Sequence, residues 1–159
     1  VPAGIAVAEG SNVSVSRNMQ QFVKAYQSDA LEAKVLGANP AELVELMYRG
    51  AIDSLHEAAL SIASGDFSRK SQQLNKATDI IGSLNMALNH QAGGQISSQL
   101  ASLYDYWKRR LMDAGLSNDQ AALTEVISQL DEIRGAWEII GRDVRSKGSN
   151  GGRNGGIAV

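Results

Sequence analysis

The stretch "GANPAELVELMYRGAIDSL", residues 37–55, contains the clearest helix start in this chain. Asn39 can accept a hydrogen bond from a free N–H of the first turn, and Pro40 stands where its missing N–H costs nothing. Glu42 occupies the capping-box position. We therefore predict a long helix that begins at Pro40 and ends before Gly65.

The apolar residues of this helix cover more surface than one buried stripe needs. On a helical wheel they spread over roughly 180°, whereas an ordinary core-facing helix has an apolar stripe about 100° wide. They are Leu43, Val44, Met47, Tyr48, Ala51, Ile52, Leu55, Ala58, Ala59 and Ile62. We expect half of this arc to face the interior of the fold and the other half to remain for a partner.

Composition narrows the class of protein. With 159 residues, 43% hydrophobic and 20% charged, the chain has the size and apolar content of one globular domain. A net charge of -2 gives no strong electrostatic reason to bind nucleic acid or an anionic membrane. Disulfides are excluded because the chain has no cysteine. No apolar run approaches the length of about 20 residues that spans a membrane, and we expect a cytoplasmic protein without membrane insertion.

Three further segments show helical periodicity. The second helix begins near Asp66 and carries a heptad stripe of apolar residues. The third begins after "AGG" at 92–94 and ends at Gly115, and the fourth opens with a capping box from Ser117 to Gln120. Because the connections are only about one to five residues long, consecutive helices must lie antiparallel. The predicted fold is all-α, an antiparallel up-down four-helix bundle.

Both ends of the chain differ from this body. Residues 1–17 are aperiodic, and residues 141–159 are rich in Gly, Ser and Asn, so we predict two disordered tails around a helical domain at 18–140. Within that domain, "NMQQFVKAYQSDALEAKVL" at 18–36 places Met19, Phe22, Val23, Tyr26 and Ala30 at helical spacing. We expect a short additional N-terminal helix or cap segment that packs across the bundle.

The residues that carry chemistry are few and badly placed for catalysis. Asp53 and His56 have the spacing of a metal-binding pair, but they fall on the polar side of their helix, whereas bundle ligands point inward. His90 lies in a polar helix end, and the "KRR" run at 108–110 radiates around its helix. Phosphate-binding and nucleophile motifs do not occur in the sequence. We predict no enzyme activity, no metal and no cofactor.

Apolar residues off the core stripes stand out instead. Gly in a helix interior costs about 1 kcal/mol relative to Ala, so mid-helix glycines invite a packing explanation. The off-stripe residues are Tyr106, Met86 and Met112, and the mid-helix glycines are Gly50, Gly82 and Gly135. Together they indicate grooves between helices that a partner could fill.

Several motifs are similar to one known family. They are "NPAELV…MYRGAI" in the first long helix, "GD…KA.DII..L" in the second and "GG.I...L..LYDY...RL" in the third. Over about residues 22–140 the chain resembles the flagellar secretion chaperone FliS family. It departs from the usual pattern at Gly37, Asn39 and Arg49 and in the "NHQAGG" loop.

The resemblance implies a cytoplasmic chaperone of the flagellar type III export system that has no cofactor. Such a protein would bind the disordered C-terminal segment of flagellin, prevent premature polymerisation and assist delivery to the flagellar export apparatus. We expect a monomer or weak homodimer that forms a 1:1 complex. The candidate flagellin contacts are Tyr26, Met47, Tyr48, Ala51, Ile52, Tyr104, Tyr106 and Leu111.

Two alternatives come from other classes of protein. The extra apolar surface could serve a self-associating structural helical bundle that has no flagellin client, and the Asp53–His56 spacing could belong to a metal-dependent bundle enzyme. Mass measurement with and without a flagellin peptide separates the first alternative from a chaperone, and metal analysis addresses the second.

Overall fold

The chain forms an all-α structure, as the sequence predicts. The computed structural model describes the backbone of residues 29–153 and the side chains of residues 31–149. The helices of this part are α1 (Asp29–Gly37), α2 (Pro40–Ser64), α3 (Phe67–Met86), α4 (His90–Ser117) and α5 (Gln120–Arg153). The predicted N-terminal tail at 1–17 lies outside the described residues, as do Met19, Phe22, Val23 and Tyr26.

The four long helices form the predicted up-down bundle. Helix α2 packs against α3 and α5, and α4 closes the ring by packing against the same two helices. The start of α2 meets the end of α5, where Asn39 Nδ2 donates to the carbonyl oxygen of Gly141 over 3.0 Å. On the opposite side, Trp107 Nε1 of α4 donates to Gln129 Oε1 of α5 over 2.8 Å. The antiparallel four-helix bundle with an additional short helix is confirmed.

The predicted start and end of α2 are also confirmed. Asn39 Oδ1 accepts a hydrogen bond from Glu42 N over 3.0 Å, and Asn39 N donates in return to Glu42 Oε1 over 3.1 Å. This reciprocal pair satisfies two backbone donors at the first turn. At the other end, Gly65 has a φ of 77°, a left-handed conformation that glycine adopts without strain.

The ends of α4 and α5 differ from the prediction. Helix α4 begins at His90 and bends at Gly94, whose φ of 50° and ψ of -123° are not helical. The capping box from Ser117 to Gln120 is wrong, because Ser117 Oγ donates back to the carbonyl oxygen of Asp113. Asp119 caps α5 instead, since its Oδ1 accepts from the backbone N–H groups of the second and third residues that follow it.

The predicted boundary at residue 140 also differs from the structure, because α5 continues to Arg153. Gly141 is buried against α2, where a Cβ atom would lie 2.7 Å from Glu42 Cγ. One helical turn later, Arg145 Nη2 bonds Glu42 Oε1 at 2.6 Å and the carbonyl oxygen of Gly37 at 2.9 Å. These tertiary contacts continue the helix through residues whose composition alone predicts a tail.

Candidate functional site

Three aromatic side chains fill the middle of the bundle. Tyr48 of α2 meets Tyr104 and Trp107 of α4, with ring centroids 5.6–6.4 Å apart. The two tyrosine hydroxyl groups share a hydrogen bond of 2.7 Å. Burial raises the pKa of Tyr104 to about 12 and raises the pKa of Tyr48 well above its ordinary value. Both phenols are therefore neutral hydrogen-bonding groups at physiological pH.

This interior explains most of the wide apolar arc of α2. The arc contacts α3 along one edge and α5 along the other, and the aromatic rings of α4 cover its centre. Leu55 and Ala58 have no exposed surface. The residues of the arc that are only partly buried are Leu43, Ile52, Ala59 and Ile62. The contacts of α2 with α3, with α5 and with the aromatic rings of α4 need this width. The bundle therefore covers most of the half of the arc that we expected to remain for a partner.

The eight candidate flagellin contacts divide by their exposure. Five of them are buried in the bundle, namely Met47, Tyr48, Ala51, Tyr104 and Leu111. Ile52 and Tyr106 are partly buried at the margins of the core, and Tyr26 lies outside the described residues. A helical wheel places the five buried residues on apolar faces, but it does not distinguish a face covered by a neighbouring helix from an open one.

The off-stripe position of Tyr106 has a structural explanation. Its hydroxyl donates a hydrogen bond to Glu125 Oε1 on α5, and Arg110 Nε bonds Glu125 Oε2 at 2.9 Å. The hydrogen bond from Tyr106, followed by that from Arg110, lowers the pKa of the Glu125 carboxyl. The same bond raises the pKa of the Tyr106 hydroxyl. Tyr106 therefore joins α4 to α5 and leaves only part of its ring on the surface.

Other apolar side chains point outward. Met86 is 70% exposed and Met112 is 67% exposed, so both methionines lie off their core faces, as the sequence indicates. The remaining large exposed apolar residues are Leu36, Leu60, Phe67, Ile96, Leu116 and Ile139. They are spread over both ends of the bundle, so its outer surface offers several separate apolar contacts.

A groove lies over the outer surface of α3. We call it the α3 groove; it has a volume of about 490 Å³. Its lining includes Met47, Lys76, Asp79, Gly82, Met86 and Lys108. Gly82 and Met86 are two of the residues that the sequence singles out, and the fold brings them together with Lys108 of α4. Lys108 is the residue that sequence reasoning missed, because the "KRR" run gives no sign of what each cation faces.

A second cleft of about 520 Å³ lies between α1, the start of α2 and the end of α5. Its lining is mainly charged and includes Lys34, Glu42, Arg49, Glu138, Arg142 and Arg145. Arg145 pairs with Glu42 inside this cleft, and Arg49 pairs with Glu45. The Arg145–Glu42 pair connects α5 to α2, whereas the Arg49–Glu45 pair lies within α2.

The next feature is the arrangement of possible metal ligands in the described part of the chain. Among those residues, no group of three His, Cys, Asp or Glu side chains could hold a metal ion. Asp53 and His56 are both exposed, in agreement with their predicted place on the polar side of α2. The described helices also include none that is both long and apolar enough to cross a membrane.

The fold and its surfaces define an up-down helical-bundle protein whose candidate site is the α3 groove together with the exposed apolar side chains of the outer surface. A sequence model of the family described as "Flagellar protein FliS" matches residues 22–144. The chain is 40% identical over 119 residues to the flagellar secretion chaperone FliS of Salmonella typhimurium, a match that covers 74% of this chain and 88% of the relative.

Further relatives agree with that match. The chain is 34% identical over 140 residues to the flagellar secretion chaperone FliS of Bacillus subtilis, covering 88% of this chain and 98% of the relative. It is 35% identical over 116 residues to the flagellar secretion chaperone FliSB of Pseudomonas aeruginosa, covering 73% and 92% respectively. This chain belongs to the FliS family of flagellar secretion chaperones.

Proposed function

We propose that this protein is a cytoplasmic chaperone of the flagellar type III export system. It binds the disordered C-terminal segment of flagellin, prevents premature polymerisation and assists delivery to the export apparatus. The observation that carries this proposal is the match to the FliS family over residues 22–144, which spans the long helices of the bundle. The relatives that share this match are named as flagellar secretion chaperones.

The outer surface of the bundle suits such a client. An export substrate must stay unfolded and yet not associate with itself, so its carrier has to cover amphipathic pieces of a disordered chain. Exposed Met86 and Met112 offer flexible apolar contacts that adapt to different partners. The groove over α3 adds a concave surface beside Met86. Binding of this kind needs no reactive group and no cofactor.

Ile52 and Tyr106 are the proposed flagellin contacts that reach the surface among the described residues. Met47, Tyr48, Ala51, Tyr104 and Leu111 are candidates that a client would contact only where the bundle opens, since they are buried in it. Tyr26 stays a candidate from the sequence. We therefore place the first test of the contact surface at Ile52.

The test is calorimetric titration with a C-terminal flagellin peptide, paired with circular dichroism. We expect a 1:1 complex with a negative heat-capacity change that survives moderate salt, because apolar burial drives it. Ile52→Glu should abolish binding while the helical signal stays largely intact. His56→Glu is the matched control, since it places the same charge one turn later on the exposed polar side of α2.

Three outcomes would count against the proposal. Failure of the unmodified protein to bind any flagellin from its own source would exclude the chaperone function. Equal affinity of both glutamate variants would remove Ile52 from the contact surface. A stable homo-oligomer that the peptide leaves unchanged, detected by mass measurement, would favour the self-associating bundle over the proposed monomer or weak homodimer.

A further inference from the structure

The α3 groove includes Gly82, a residue without a side chain, in its lining. Gly82 lies in the interior of α3, where glycine is less favourable than alanine. A Cβ atom at this position would meet only Lys108, with the Nζ atom 3.5 Å and the Cε atom 3.8 Å away. These are ordinary van der Waals distances, so packing within the bundle does not require glycine here. The absent side chain leaves space at the surface.

The walls of the groove combine apolar surface with positive charge. Met86, which is 70% exposed, contributes a thioether side chain that adapts to differently shaped apolar partners, whereas Met47 in the same lining is buried. The charged residues in the lining are Lys76, Asp79 and Lys108, so cations outnumber anions. Lys108 is partly buried, and among the described residues no carboxylate pairs with it. Its neighbours Arg109 and Arg110, in contrast, both form ion pairs.

We propose that the α3 groove receives an amphipathic helical segment of the client that carries a carboxylate side chain. An apolar residue of that segment occupies the space above Gly82 and packs against Met86, and its carboxylate pairs with Lys108. This docking mode is the ordinary one in which a helix lays its apolar face into a groove. Positive charge at the groove sets which segment fits, because a basic segment would leave Lys108 facing a like charge.

This inference rests on the proposed function, since it assigns one segment of the flagellin client to one surface. The probe is a labelled C-terminal peptide of flagellin from the same source, titrated by fluorescence anisotropy. Gly82→Met fills the groove and supplies a better helix former, so binding and stability should move in opposite directions. We expect affinity to fall by about tenfold or more, as for loss of a central contact, while Tm rises by about 3 °C.

Gly135→Met is the matched control for this substitution. Gly135 lies inside α5, and a Cβ atom there would have no neighbour within 4 Å. The same change of residue should therefore give a similar gain in Tm, and peptide affinity should stay within about twofold of the unmodified protein. Equal weakening by both methionine variants, or full affinity of Gly82→Met, would overturn the assignment of the groove.

Lys108→Glu is a second test of the proposal, and it changes the charge of the groove without filling it. We expect peptide affinity to fall by about fivefold or more because the carboxylate would meet a like charge. Arg109→Glu is the control, since Arg109 is exposed and only its pair with Asp105 is lost. A peptide whose acidic residues are replaced by amides should bind the unmodified protein and Lys108→Glu equally.

The outcomes separate this inference from the proposed function. If the unmodified protein binds the peptide but neither Gly82→Met nor Lys108→Glu weakens binding, the groove assignment is wrong and the chaperone function stands. If Lys108→Glu weakens binding of the acidic peptide and of the amide peptide equally, the proposed pairing of a client carboxylate with Lys108 is wrong. If the unmodified protein binds no flagellin peptide, both proposals fail together.

Discussion

The aromatic interior and the α3 groove differ in how completely their space is filled and their polar atoms are paired. In the interior, Tyr48 and Tyr104 hydrogen-bond to each other, and Trp107 bonds Gln129, so each polar atom of the cluster has a partner. In the groove, Gly82 leaves space unfilled, and Lys108 forms no ion pair with a carboxylate among the described residues. The packed centre therefore stabilises the bundle, whereas the groove keeps unfilled space at the surface.

The largest expected effect tests the interior. Trp107 has no exposed surface, and Trp107→Ala should lower the free energy of unfolding by about 3–5 kcal/mol, the range for truncation of a buried aromatic residue. Tyr106→Ala, at the adjacent position, should cost only a small part of that loss because its ring lies at the margin of the core. Urea denaturation followed by circular dichroism measures both, and equal losses would contradict the assigned faces of α4.

The second largest effect concerns the hydrogen bond between the hydroxyl groups of Tyr48 and Tyr104. Tyr104→Phe removes the Tyr104 oxygen from the buried Tyr48 hydroxyl, which keeps only Trp137 as a hydrogen-bond partner, and should cost about 1–2 kcal/mol. The double variant Tyr48→Phe/Tyr104→Phe should cost less than the sum of the two single variants, because it leaves neither hydroxyl behind. A double-mutant cycle in urea gives the coupling energy. Strict additivity would mean that the hydrogen bond contributes nothing to stability.

A smaller effect concerns the ion pair at the end of the bundle. The hydrogen bond from Arg145 holds the pKa of the Glu42 carboxyl below its ordinary value of 4.5. The stability that this shift contributes is complete above pH 4.5 and disappears as the pH falls through the lowered pKa. Glu42→Gln keeps a capping-box side chain but removes this dependence.

Thermal unfolding at several pH values checks that expectation. At neutral pH Glu42→Gln should melt roughly 2 °C below the unmodified protein, because a single, partly exposed ion pair contributes little to stability. The two melting temperatures should converge as the pH falls below 4.5 and through the lowered pKa of Glu42. A constant difference at every pH would show that the substitution acts through packing against Gly141 and not through charge.

The smallest effect belongs to the outer surface. Met112 is 67% exposed, so Met112→Gln should change the free energy of unfolding by less than about 0.5 kcal/mol. The same denaturation assay as for Trp107→Ala makes the comparison direct, since both residues lie on α4. If Met112→Gln lowered the free energy of unfolding nearly as much as Trp107→Ala, Met112 would stabilise the fold as an interior residue does.

The sequence by itself determined the helices and their order. The cap at Asn39, Pro40 and Glu42 acts between residues close in the chain, so it can be identified without the fold, and Gly65 likewise marks the end of α2. Short connections then impose the antiparallel bundle. The motifs around these signals were sufficient to indicate the FliS family, which the match over residues 22–144 confirms.

Only the tertiary structure decided which apolar surface is interior and which is open. Periodicity reports the face of a helix on which a residue lies, but the number of neighbours covering that face depends on residues far away in the chain. For this reason Tyr48 and Tyr104, predicted as contacts for a partner, lie against each other in the core. In the same way, only the fold brings Lys108 into one groove with Gly82, since the "KRR" run does not indicate what each cation faces.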